Sequence, residues 1–310
     1  PPEGPMHVIA AISIDAPALL LQSNGDSADA AAAAPQAAAP WAAVAPWAIA
    51  AVVGLLAVAS LVAVVRLRLW RMPAEASGRI PRDPAIGALA MMFALVAGAL
   101  AAAAAGGAAI ADPAYARLAT GALSNLAQAV VALLVIHSVL SRPGAAPAMP
   151  VRRAALHGAA ALALVFPVIA ALSIAINAAL AALGLPKAPD ASHETLQLLV
   201  ERRDPLLTAL TLLHVAVLVA VSEEALWRGL LQPSMRRAGL GAAGAVSATA
   251  LLFTSIHWSM IPAEGRAAGL AMLFVLACAL GILRERTGGL AAPIALHALF
   301  NAANVAIALA

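Results

Sequence analysis

Residues 206–232 read LLTALTLLHVAVLVAVSEEALWRGLLQ, and the fold turns on this stretch. It is long enough to cross a hydrocarbon core of about 30 Å, for which roughly 20 apolar residues suffice. Its apolar residues run continuously instead of alternating, so it is a helix and not a barrel strand. Near one end stand Glu223, Glu224 and Arg228. A charged side chain at the centre of a membrane helix costs about 2.5–3.5 kcal/mol on insertion scales, so such residues face a bundle interior and have a purpose. The stretch therefore predicts a membrane helix that carries chemistry.

The rest of the chain is of the same kind. Of 310 residues, 63% are hydrophobic and 11% charged, far from the soluble mix of about half apolar and a quarter charged. Apolar runs recur over 42–65, 86–110, 118–140, 154–180, 206–232, 242–262, 267–283 and 290–309. The fold class is all-α, a polytopic helical membrane bundle of about eight transmembrane helices. Small residues are abundant, which suits close helix packing in lipid. The expected organisation is a low-complexity tail over 1–40, four N-terminal membrane helices over 41–203 and a four-helix catalytic core over 204–310. Within the tail, residues 6–22 have the apolar character of a signal segment but lack a preceding Lys or Arg.

The net charge of +3 does not indicate nucleic acid, because the arginines sit in short connections between apolar runs and not along one stripe. Arg66, Arg68, Arg71, Arg79 and Arg82 follow the first run, Arg142, Arg152 and Arg153 the third, Arg236 and Arg237 the fifth, and Arg284 and Arg286 the seventh. The intervening connections carry acids beside their few cations. Read by the positive-inside rule, this alternation predicts a multi-pass protein of the cell inner membrane with both termini non-cytoplasmic. The single cysteine, Cys278, excludes an intramolecular disulfide and a cysteine metal cluster.

Polar residues inside the runs concentrate in the second half. Glu224 and Arg228 are i and i+4, so they share a helix face and are expected to pair through the guanidinium fork, while Glu223 points about 100° away. Phe253 and His257 share a face of the sixth run, and His297, Asn301 and Asn304 form a polar stripe on the eighth. Mutual solvation in one bundle accounts for all of them. Amide hydrolysis needs an activated water and a donor to the developing oxyanion. Glu223 with His257 supplies the first in this reading, His297 with Asn301 the second, and Glu224 with Arg228 orients the helix. A second version holds a zinc ion between Glu223, His257 and His297, since two His and one Glu leave a fourth position for water. The spacing does not choose between them. No HExxH occurs; His193-Glu194-Thr195-Leu196-Gln197 has Gln at the second ligand position. Ser222, Ser255 and Ser259 lack the setting of a nucleophile.

These residues resemble the CAAX protease and bacteriocin-processing (CPBP, or Abi) family of intramembrane endopeptidases, which includes the type II CAAX prenyl endopeptidases. Its pattern EExxxR, FxxxH and HxxxN/D is met in order by Glu223, Glu224 and Arg228, by Phe253 and His257, and by His297 and Asn301. Arg228-Gly229-Leu230-Leu231 and Gly288-Gly289-Leu290 through Pro293 agree as well. The resemblance covers about Asp204 to Ala310. It implies a helical bundle with a membrane-embedded cavity, endopeptidase activity on a membrane-associated peptide or protein, and a first glutamate and first histidine that activate water. The family is described both as metalloproteases and as metal-independent glutamate enzymes. Prenylated CAAX substrates characterise its eukaryotic members. The rival readings are a catalytically silent immunity or scaffold protein of the same fold, and a transporter; the first four runs hold no counterpart of the second-half motif, which disfavours the transporter.

Overall fold

A computed structural model describes residues 46–73, 81, 83–106, 110–140, 148–185, 199 and 202–309; the tail with its segment 6–22 and the string 193–197 lie outside them. The described residues form eight helices and no strand, as the apolar runs predict. They are α1 (Pro46–Arg66), α2 (Pro84–Gly106), α3 (Pro113–Ser138), α4 (Val151–Ala182), α5 (Pro205–Arg237), α6 (Ala242–Ile256), α7 (Arg266–Thr287) and α8 (Ala291–Leu309). Seven are long and apolar enough to cross a membrane, and α6 is not. Its 15 residues rise roughly 22 Å at 1.5 Å each. The sixth run extends to residue 262, but Pro262 disfavours helical backbone at the residue before it, and His257–Met260 close into a turn with the Met260 N–H on the His257 carbonyl at 3.1 Å.

Three helices start at the same local device, an Asp followed by Pro. Asp83, Asp112 and Asp204 accept hydrogen bonds from the backbone N–H of Ala85, Ala114 and Leu206, each two residues on, while the proline occupies the first helical position where no donor is lost. This moves the start of α3 to Pro113, five residues before the apolar run begins.

Two ties at each end establish which helix ends lie together. The Arg286 guanidinium donates to the carbonyls of Leu69 and Arg71 after α1, at 3.2 and 2.9 Å, and the Met149 N–H before α4 donates to Thr287 O at the end of α7. At the other end Arg202 pairs with Asp112, and the Tyr115 hydroxyl donates to Asp204 Oδ2 at 2.8 Å. The helices thus run alternately up and down.

α5 is the central element. It packs on α2, α3, α6 and α8, while α1 sits outside against α4. α4 and α8 run parallel and close: a Cβ on Gly158 would stand 2.2 Å from the Ala292 carbonyl oxygen, and the rings of Phe166 and Phe300 meet edge-on at 6.1 Å. Ile169, Leu276, Leu280, Leu296 and Phe300 fill the space between α4, α7 and α8. α5 and α8 are antiparallel, with Glu224 beside His297, Val215 beside Asn301, and Leu207 clustered with Val305.

α5 is not a uniform α-helix. His214–Val219 and Glu224–Leu231 are π-helical, separated by one α turn. Pro233 contributes to the second, because it cannot donate to a carbonyl of the preceding turn. π turns concentrate at functional sites.

Two predictions follow from this packing. Gly158→Val forces α4 away from α8 and costs about 1–3 kcal/mol, read as a lower thermal midpoint in detergent. Hydrogen bonds, first from Tyr115 and then from the Leu207 N–H, hold the Asp204 carboxyl below the usual aspartate range. A folded-state value depressed in this way adds stability above the unfolded value of about 3.9 that fades as the pH falls through the folded value. Asp204→Asn should therefore lower the thermal midpoint at pH 7, and the gap to wild type should shrink in thermal scans carried toward about pH 3.

Candidate active site

The α turn and second π turn of α5 place Glu223 and Glu224 at a buried junction with α7 and α8; they are 1% and 0% exposed. One oxygen organises the junction. Glu224 Oε1 accepts from Arg228 Nη1 at 2.9 Å and from His297 Nδ1 at 2.8 Å. Arg228, also 0% exposed, sends Nη2 to the Ala277 carbonyl of α7 at 3.1 Å and lays its guanidinium over the Phe253 ring at 4.8 Å. The expected two-pronged fork is thus a single contact, because the second prong is drawn to α7. A lone buried carboxylate would cost several kcal/mol; here a cation and an imidazole N–H share its charge.

His297 lies between the two carboxylates. Its Nδ1 carries a hydrogen, since the Glu224 carboxylate opposite only accepts. Its Nε2 stands 3.6 Å from Glu223 Oε2. This contact sets a ring nitrogen against a carboxylate oxygen. At 3.6 Å it is electrostatic and not a closed hydrogen bond. Glu223 and His297 thus face each other across this short gap. The sequence reading set His297 apart on the carbonyl side; the structure ties it to both glutamates.

His257 caps the C-terminal end of α6, 1% exposed. Its Nδ1 is 2.7 Å from the Phe253 carbonyl, which fixes the hydrogen on Nδ1 and leaves the lone pair on Nε2. The Phe253 ring lies 4.8 Å from both the Arg228 guanidinium and the His257 ring, and 5.4 Å from Trp227. Asn301 donates from Nδ2 to the Val215 carbonyl at 3.0 Å. That carbonyl lies in the first π turn, where the Ala220 N–H turns to Val217. The structure thus joins Glu223, Glu224, Arg228 and His297 directly, ties Asn301 to α5 one stretch further on, and brings His257 to the group through Phe253 and Arg228.

The zinc version needs Glu223, His257 and His297 on one ion. Among the described residues no three His, Cys, Asp or Glu side chains are gathered closely enough to hold one. The ligand set is not assembled in this conformation.

Several supporting residues were not singled out from sequence. Arg284 and Glu285, 5% and 4% exposed, lie inside the bundle. Arg284 Nε donates to the Arg228 carbonyl at 3.0 Å, and Glu285 accepts from Gln232 Nε2 at 2.8 Å and pairs with Arg236 at 3.3 Å. Arg284 and Arg236, read from sequence as topology signals, are also structural ions beneath the site. On the other side of α5, the Ser222 hydroxyl donates to Asn125 Oδ1 at 2.8 Å, and Asn125 Nδ2 meets His214 Nε2 at 3.1 Å, binding α3 to the residue before Glu223. The signals were present as an acid within Arg284-Glu285-Arg286 and an amide in the third run, but position alone does not show which way they face.

Residues 205–303 match the family model of type II CAAX prenyl endopeptidase Rce1-like proteins, the group that the three motifs resemble. No curated protein and no solved structure matches the chain. The family match supports a CAAX-type intramembrane protease kind of function in a lipid bilayer, and seven apolar helices fit a multi-pass membrane protein.

Arg228→Ala leaves Glu224 buried without its cation, for which the expected cost is about 3–5 kcal/mol. Tryptophan-monitored unfolding in detergent should show a far larger loss than for Arg237→Ala, whose side chain is partly exposed.

Proposed function

We propose that the chain is an intramembrane endopeptidase that hydrolyses a peptide bond of a membrane-associated protein or peptide with water activated by Glu223 and His257. The observation that supports this most is the buried Glu223 carboxylate set 3.6 Å from His297 Nε2, with Glu224 on the other nitrogen of the same imidazole, in a site closed to bulk water. Structural ion pairs seldom need two carboxylates on one imidazole.

In this reading Glu223 accepts one proton of the water while His257 Nε2 accepts a hydrogen bond from the other, which turns the oxygen lone pair toward the scissile carbonyl. As the oxygen bonds to carbon, charge moves to the carbonyl oxygen. Asn301 has a second N–H beyond the one spent on Val215, and His297, when protonated at Nε2, is the other donor to that oxyanion. Collapse of the intermediate breaks the C–N bond, and the proton taken by Glu223 goes to the leaving amine. Glu224 and Arg228 hold His297 in its tautomer. The Arg-rich connections at the Arg286 end support a cytoplasmic placement of that end.

Wild type, Glu223→Gln and His257→Ala, purified in detergent, should separate this from a silent immunity or scaffold role when a fluorogenic membrane-peptide library is cleaved. Glu223→Gln is expected to lose on the order of 10²–10⁴ in kcat with the fold intact. Cleavage unchanged in both variants sinks the assignment. Metal assayed on the same samples tests the zinc version: zinc bound by wild type and lost in His297→Ala supports it.

A further inference from the structure

The polar stripe of α8 contains one member that the proposed chemistry does not use. Asn304 is seven residues beyond His297, which places it within about 20° of the same helix direction, facing α5, and about 10 Å further along the axis. It is 4% exposed. Among the described residues neither its Oδ1 nor its Nδ2 has a hydrogen-bond partner. Its stripe neighbours are satisfied, His297 by Glu224 and Asn301 by the Val215 carbonyl. A buried amide left with neither a donor nor an acceptor partner is rare, and each case calls for an explanation.

We infer that Asn304 is a substrate-positioning residue, whose amide pairs with a backbone peptide unit of the bound membrane peptide on one side of the scissile bond. A primary amide offers an N–H and a C=O side by side, the same pair that one residue of an extended chain presents. Steps of about 5–6 Å between His297, Asn301 and Asn304 run along one helix face, and an extended peptide advances about 3.3 Å per residue, so Asn304 reaches a peptide unit roughly three residues from the bond held at His297. The amide is closed to solvent in this conformation. A peptide laid along α8 reaches the amide by displacing the part of α5 that packs over it, and the pairing energy that the amide forgoes in the empty site is recovered on binding. Because backbone is read and not side chain, the contact selects an extended segment and is indifferent to sequence at that position.

The inference rests on the protease reading above, and the test keeps the two apart. Asn304→Leu keeps size and removes an unsatisfied polar group, so its thermal midpoint should equal or exceed that of wild type. Its KM for a cleaved membrane peptide should rise about tenfold with kcat changed less than threefold, and Kd for the same peptide measured in the Glu223→Gln background should weaken by the same factor. Peptides in which single amides are replaced by esters should show one position, about three residues from the cleavage site, where the ester weakens binding to Glu223→Gln but not to Glu223→Gln/Asn304→Leu. KM and Kd within twofold of wild type, or equal ester effects in both proteins, overturn the role of Asn304 and leave the protease reading intact. Absence of cleavage by wild type overturns the protease reading and this inference with it.

Discussion

One carboxylate oxygen, Glu224 Oε1, holds the second half of this protein together. It lies in a place where lipid and packed side chains exclude water, and an isolated charge there is prohibitive. Arg228 and His297 meet it from two directions, and each carries a helix with it: Arg228 reaches on to the Ala277 carbonyl of α7, and His297 brings α8. The position of Glu223 against the far side of the same imidazole follows. Stability and chemistry thus share one constraint. The carboxylate needed to neutralise Arg228 is also the one that fixes the His297 tautomer.

The π turns of α5 make this possible. Two carbonyls within these turns accept from side chains of other helices: Val215 from Asn301 and Arg228 from Arg284. Each is a directional contact between helices that lipid gives no hydrophobic reason to associate. Around the second turn the charges Arg228, Arg284, Arg236, Glu223, Glu224 and Glu285 balance in sign, and amide or backbone groups fill the gaps. A small-residue seam on the opposite side, Gly158 against Ala292 and Ala295, lets α4 back α8 closely enough to keep the stripe in register.

Much of this was legible in the sequence, for identifiable reasons. Apolar runs of membrane length name the helices, Asp-Pro pairs mark three of their starts, and the i, i+4 spacing of Glu224 and Arg228 predicts a pair that forms. The six candidate site residues stand out because charges, imidazoles and amides are costly in lipid. What was hidden is direction and local pitch. The second π turn follows from Pro233 and from contacts made across the bundle, which no single segment encodes. Arg284 near a helix end reads as a topology signal, and only the fold shows Arg228 presenting it a carbonyl. The shortness of α6 depends on Pro262 and a turn at His257 within a run that is apolar throughout. The sequence placed His297 with Asn301 by spacing alone; its capture between two glutamates needed the third dimension.

The central claim is that water attacks the peptide carbonyl directly, without a covalent enzyme intermediate. Turnover of a membrane peptide by the wild-type protein in ¹⁸O-labelled water containing hydroxylamine, read by mass spectrometry, tests it most directly. The account predicts one ¹⁸O in each new C-terminal carboxylate and no hydroxamate product. Hydroxamate formation, which requires an acyl-enzyme, or products without label, would contradict it.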